Sequence, residues 1–363
     1  MVHGRPHVTV TLGSSRPGGI DISLAGLAAQ TYQDFEVIFV DHRYHKRHAQ
    51  VMAAVARSGL KQPFYHVPNH RYRADAMGSS SAGFNTGFML ANGEIIIMLM
   101  DYSFTPPNWI ASHVNHGNSK LTIGPFFTRD IAGHVVSEDG GPWHDFTDRR
   151  NIDGLPFDTA LANILGNRGR FDEISIFGSP FSIDQLDSFA PLPEGLQEER
   201  YTQIAASFVS NTLFFTKNES FPREAILDVN GMDENCDRHC LAGDYELGMR
   251  LSRHLAMRPW FEPKAVIHSF NPRAILPKPI NAMTTHDLPP PPYDKILPIH
   301  HPASYGWLKL REKDPSLSRA GNPFDIRERK SEIWHWRELC MEKEPLIPKN
   351  VIADSDYYKE DLR

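Results

Sequence analysis

The six residues from Ile95 to Met100 (I-I-I-M-L-M) are apolar without interruption and stop at Asp101. The run is far shorter than the roughly 18 residues of a membrane span. It lacks the alternation of a half-exposed strand, so it suits a strand buried inside a sheet. Gly93-Glu94 precede it, and Asp101-Tyr102-Ser103 and Pro106-Pro107 follow it. A buried strand that ends on a carboxylate is a place to hold a metal or a phosphate.

The same kind of segment recurs along the N-terminal half. Val8 to Leu12 reads as a strand, followed by the turn G-S-S-R-P-G-G. Ile22, Leu24, Leu27 and Ala28 recur at helical spacing. Phe35 to Val40 is a second buried strand ending at Asp41, and Phe64 to Val67 is a third. Gln50 to Ser58 and Ser79 to Ala91 read as the intervening helices. Strands that alternate with helices predict an α/β fold with a mostly parallel central sheet flanked by helices. Ligands of such sheets bind at the carboxyl ends of the strands. Ser14, Asp41 and Asp101 all fall at such ends and are expected to converge on one crevice.

The later chain is less regular. Residues 126–205 are rich in Gly, Pro and Asp, with regular structure expected again at Ile204 to Phe215. Gly243 to His254 reads as a helix and Ala265 to Phe270 as a last short strand. After Pro272 prolines accumulate (Leu288 to Pro292 is L-P-P-P-P), and Ser331 to Glu342 reads as a helix. These features predict one large domain over 1–275, with 126–205 as an elaborated loop region or small insertion. A Pro-rich linker and helical extension then covers 276–363.

Composition narrows the function. A net charge of −6 over 363 residues gives no basic excess for general nucleic-acid binding. Three cysteines are too few for a disulfide scaffold, which favours a reducing compartment. With no apolar leader at M-V-H-G-R-P-H, the expectation is a cytoplasmic protein without a membrane span.

Several segments, in order, resemble glycosyltransferase family 2, whose fold is the Rossmann-like GT-A fold. Leu27 to Asp41 (L-A-A-Q-T-Y-Q-D-F-E-V-I-F-V-D) is close to the family's L-x-x-Q-T-Y-x-x-F-E-V-I-V-V-D. Asn85, Gly87, Ala91, Gly93 and Glu94 match N-x-G-x-x-x-A-x-G-E. Gly231 to Glu234 resembles G-F-D-E, Gly243 to Leu251 resembles E-D-Y-E-L-x-x-R-L, and Val266 to His268 resembles V-x-H. The resemblance covers about residues 7–272. It implies an inverting transferase that moves a sugar from a nucleotide-diphosphate donor, most often a UDP-sugar, to an acceptor hydroxyl.

The resemblance also implies roles. Ser14, Ser15 and Arg16 would line the nucleotide loop, Asp41 would meet the base, and Asn85 would belong to the nucleotide side. Arg71 and Arg73 are candidates for diphosphate contacts, with solvated surface as the alternative. Asp101 and His268 would hold Mn²⁺ or Mg²⁺. Asp244 would be the general base, with Asp233 and Glu234 on the acceptor side. Each has a plainer alternative: a strand-end turn former for Asp41, a structural histidine for His268, a helix-start carboxylate for Asp244.

The chain departs from the family at two points. Alignment on Gly93-Glu94 puts Met100 at the usual first aspartate, Asp101 in the middle and Tyr102 at the usual metal ligand. Gly243 stands where the family has a glutamate before Asp244. The missing acids motivate an alternative, a non-catalytic nucleotide- or glycan-binding module. A nicotinamide-dependent oxidoreductase would need G-x-G-x-x-G after the first strand, which G-S-S-R-P-G-G does not supply. His42, His45 and His48 are expected in a basic loop, solvated or facing nucleotide. Cys236, Asp237, His239 and Cys240 form only a zinc half-site. Trp109 reads as a core residue. The acceptor is not specified, and the C-terminal extension is a candidate for homo-oligomer contacts.

Overall fold

A computed structural model describes residues 7–14, 18–69, 80–115, 121–124, 126–128, 174, 218–234, 243–254, 257, 259–262, 264–270, 319–322 and 324–328. The regular structure expected at Ile204 to Phe215, the helix at Ser331 to Glu342 and the cysteine cluster lie outside them.

The strands are β1 (Val8–Ser14), β2 (Phe35–Asp41), β3 (Phe64–Pro68), β4 (Ile95–Met100), β5 (Ser103–Phe104), β6 (Leu121–Ile123), β7 (Phe126–Thr128), β8 (Asn218–Pro222), β9 (Pro259–Phe261) and β10 (Ile267–Ser269). The helices are α1 (Ile20–Ala28), α2 (Tyr44–Ser58), α3 (Ser80–Leu90), α4 (Trp109–Val114), α5 (Arg223–Asp228) and α6 (Gly243–His254). Seven strands form the central sheet in the order β3-β2-β1-β4-β8-β6-β9. β3, β2, β1 and β4 run parallel, and β8 is antiparallel to both β4 and β6. A second sheet has the order β5-β10-β7. This is the expected α/β architecture, a mostly parallel central sheet flanked by helices.

The unbroken apolar runs follow from burial of both sheet faces. In β4, Ile96 and Met98 join one core with Phe88 of α3, Ile226 of α5 and Leu247 of α6. Ile95, Ile97 and Leu99 point the other way, into a core with Leu24 of α1, Val51 of α2 and Trp109 of α4. Period-two alternation is present, but both destinations are apolar. Trp109 is the core residue the sequence suggests, with its indole N–H donated to Asn218 Oδ1 at 2.7 Å.

Two motif residues hold the layers together. Gln30 donates to Gly26 O and Pro106 O and accepts from the Ile110 amide, which ties α1 to the start of α4. Glu36 accepts from Thr9 Oγ1 and from the backbone and side-chain amides of Asn92, fixing the turn into β4.

One local expectation is corrected. The stretch H-R-Y-H-K-R-H is not a loop from end to end, because α2 begins at Tyr44 rather than Gln50. Tyr44, Arg47, Val51 and Ala54 are buried at i, i+3, i+7 and i+10, so one helical face is already set within the basic run. The charges disguised this face, since Arg47 is buried through pairing rather than through an apolar side chain.

Candidate active site

The carboxyl ends of β1, β2 and β4 meet as predicted, but they meet inside the protein. Ser14 lies beside Asp41 in the β1–β2 register, and Gly13 lies beside Met100 in the β1–β4 register. The next residues along, Ser14 and Asp101, are therefore adjacent. Ser14 Oγ donates to Asp101 Oδ2 at 2.9 Å. Arg47 Nη2 donates to Ser14 Oγ at 3.0 Å and to Asp41 Oδ1 at 2.9 Å. Arg47 Nε donates to Asp41 Oδ2 at 2.7 Å. The planar guanidinium thus grips Asp41 with two donors and Ser14 with one of them.

Asp41 is completely buried. Beyond Arg47, its carboxylate accepts from the Arg43 backbone N–H at 2.7 Å and from His66 Nε2 at 2.8 Å. Burial alone would raise its pKa. The Arg47 charge and the hydrogen bonds from His66 and Arg47 outweigh that and hold the carboxyl far below the usual range. His66 moves the other way. Burial pushes it down to about 4, against the pull of Asp41. A neutral His66 facing an ionised carboxylate carries its proton on Nε2. Its Nδ1 then accepts from His48 Nδ1, 2.9 Å away. His66 is stacked between Phe39 and His48, with ring centroids 5.0 Å apart on each side.

This arrangement has a pH signature. The unfolded chain binds a proton at His66 near pH 6.5, whereas the fold resists it until about pH 4. Stability is therefore at full strength above pH 6.5 and falls as pH drops through that window. Asp41 adds a further loss only below about pH 4. Thermal melts from pH 7.5 to 4.5 should show a falling midpoint in the wild type and a flatter profile in His66→Asn. Parallel profiles would remove His66 from this role.

After Asp101 the chain turns sharply. Tyr102 is 1% exposed with φ of 60°, a left-handed conformation uncommon for a bulky residue. Its carbonyl accepts from the Phe270 N–H at 2.8 Å. Gly19, with φ of 77°, sits on the Tyr102 ring so closely that a Cβ there would fall 2.6 Å from it. Tyr102 thus packs against Gly19. His268, half-buried in β10, pairs in register with Phe104 of β5.

The acceptor-side candidates belong to a second buried cluster. Asn85 Nδ2 donates to Met232 O and to Glu234 Oε1, both at 2.9 Å, while its Oδ1 accepts from Met232 N at 2.8 Å. Gly231, with φ of 69°, brings the turn so close that a Cβ would lie 2.3 Å from Asn85 Oδ1. Arg250 of α6, paired with Glu246, donates to the carbonyls of Val229 and Gly231. A piece of the C-terminal chain closes the turn from outside. Gly321 N donates to Asp233 Oδ2, Asn322 Oδ1 accepts from Glu234 N, and Ile326 is fully buried. Loss of the three Asn85 side-chain bonds in Asn85→Ala should cost about 3 kcal/mol in urea unfolding. A change below about 1 kcal/mol would mean the turn does not depend on this clip.

Ser14, Asp41 and Asp101 are thus joined by one hydrogen-bonded chain through Arg47, Asn85 and Glu234 are bonded directly, and Asp233 accepts from the Gly321 amide. Asp244 is the second residue of α6, and its side chain lies outside the described residues, as do Ser15, Arg16, Arg71, Arg73 and the His45 side chain. Arg47 and His66 were missed by sequence reasoning. The helical spacing from Tyr44 to Ala54 was the available signal for Arg47. Nothing local marked His66, whose partners come from across the fold.

Mg²⁺ or Mn²⁺ in a diphosphate site commonly uses one or two protein carboxylates plus phosphate oxygens. Asp101 is a hard oxygen donor at a strand end and fits that share. Among the described residues no group of three His, Cys, Asp or Glu could hold an ion alone. No described helix is long and apolar enough to cross a membrane.

No protein-family model matches the chain, and no curated protein matches its sequence. Among solved structures it is similar to the mannosyltransferase PcManGT from Pyrobaculum calidifontis in complex with GDP-Man and Mn²⁺, at 14% identity and a TM-score of 0.44, over 76% of this chain and 59% of that one. It is similar to GalNAc-T7 with UDP, GalNAc and Mn²⁺ at 12% identity and a TM-score of 0.45, over 98% of this chain and 54% of that one. It is similar to S. aureus TarS at 10% identity and a TM-score of 0.41, over 98% of this chain and 47% of that one. The chain thus spans about half the length of these structures.

Proposed function

We propose that this protein is an inverting glycosyltransferase that moves a sugar from a nucleotide-diphosphate donor, a UDP-sugar in the first instance, to an acceptor hydroxyl. The observation that carries the reading is the buried chain Asp101–Ser14–Arg47–Asp41 across the carboxyl ends of three parallel strands, the edge where α/β sheets take nucleotides. The ordered motif resemblance points the same way.

In this reading Asp244 takes the proton from the acceptor hydroxyl as its oxygen attacks the anomeric carbon. Attack from the face opposite the diphosphate inverts the configuration. Asp101, with His268, would hold a divalent cation, which when bound supplies Lewis acidity to the departing diphosphate. Ser15, Arg16, Arg71 and Arg73 are assigned to the nucleotide and its phosphates, and Asp233 and Glu234 to the shape of the acceptor side. Residues 126–205 would select the acceptor and 276–363 would support assembly.

A non-catalytic binding module is the second reading. It is favoured by Tyr102, whose ring is spent on packing against Gly19 where the family has a metal ligand. A thermal-shift series with UDP, GDP and several nucleotide sugars, with and without Mn²⁺, tests the first reading. A rise with UDP that grows with Mn²⁺ is expected. No rise with any nucleotide would contradict the first reading and leave only a glycan-binding form of the second.

A further inference from the structure

Asp101 is the lone acid of its turn, so its orientation matters more than in a site with several carboxylates. We infer that Arg47, acting through the Ser14 hydroxyl, is the positioning residue that fixes how Asp101 is presented to a diphosphate-bound cation. This rests on the nucleotide-diphosphate reading above.

Donor and acceptor counts set the direction of each bond. A serine hydroxyl has one proton to give. Arg47 has only donors, and its Nη2 sits 3.0 Å from Ser14 Oγ. The hydroxyl therefore accepts from Arg47 and cannot point its proton there. Its own proton goes to Asp101 Oδ2 at 2.9 Å. Arg47 in turn cannot swing away, because both Asp41 oxygens hold it. Asp41 is held by the Arg43 amide and His66. Arg47 is 1% exposed, Asp41 fully buried and Ser14 6% exposed, so water does not compete readily for these bonds. Each of these links has one direction, running from Arg47 through Ser14 to Asp101.

Ser14 carries the cleanest test, since Arg47 substitutions also disturb the fold. Mn²⁺ affinity in the presence of UDP is measured by electron paramagnetic resonance for the wild type, Ser14→Ala, Ser14→Thr and Asp101→Asn. Ser14→Ala should weaken Mn²⁺ about ten- to a hundredfold, the loss of one hydrogen bond to a charged group. Its melting temperature should fall by several degrees without loss of the folded state, and Ser14→Thr, which keeps a hydroxyl, should recover most of the affinity. Ser14→Ala binding Mn²⁺ like the wild type while Asp101→Asn fails would overturn the positioning role and leave the site intact. If Asp101→Asn also bound Mn²⁺ normally, the nucleotide-diphosphate reading at Asp101 would fall and take the inference with it.

Discussion

Arg47→Met should lower the unfolding free energy by about 3–5 kcal/mol. Methionine fills much of the volume but leaves Asp41 buried without its cation. Asp41 is fully buried, and two of its hydrogen bonds come from Arg47. The Arg43 amide and His66 remain, but a neutral imidazole does not replace a guanidinium as a counter-charge. Ser14 loses its donor at the same time. The penalty belongs mainly to the abandoned carboxylate, since a buried ion pair adds little net stability over well-packed apolar groups. The double variant Arg47→Met/Asp41→Leu should therefore be less damaged than the sum of its single variants. Urea denaturation checks both statements. A single-variant loss below about 1 kcal/mol, or strictly additive losses, would mean the pair is solvated.

The second large effect is on turnover. Asp244→Asn should reduce the catalytic rate by about 10²- to 10⁴-fold, the range for a lost general base. Asparagine is nearly the same size and still suits the first turn of α6, so folding should be unaffected. Nucleotide affinity should change less than twofold, because the base acts on the acceptor oxygen. The split matters. A merely structural carboxylate at a helix start would shift stability by a few tenths to about 1 kcal/mol and leave the rate nearly alone. Rate and nucleotide affinity measured on one preparation separate these cases. A wild-type rate in Asp244→Asn would remove it as the base.

Sequence made the first half of the fold legible because β1, β2 and β4 are buried on both faces and read as apolar runs. β8 was not legible. N-E-S-F-P is largely polar, yet Asn218 and Ser220 are buried by bonding to Trp109 and His113 across the sheet. Such strands are stabilised by partners more than 100 residues away, which no local pattern encodes. At the candidate site, the convergence of Ser14, Asp41 and Asp101 followed from their places at strand ends. What did not follow was that Arg47 and His66 engage the Asp41 carboxylate. Arg47 was hidden in a basic run whose helical face carries a charge where an apolar residue is expected. Contact between residues 319–328 and the 229–234 turn was equally invisible, because Ala320, Asn322 and Ile326 form no periodic stripe.

The account stands most directly on nucleotide release. The full chain is incubated with UDP-sugars and Mn²⁺, with mixed soluble acceptors or water, and free UDP is followed over time. At least one donor should release UDP in the wild type, with the rate lost in both Asp244→Asn and Asp101→Asn. Nucleotide binding without any release from any nucleotide-sugar donor would contradict a glycosyltransferase and leave a binding module.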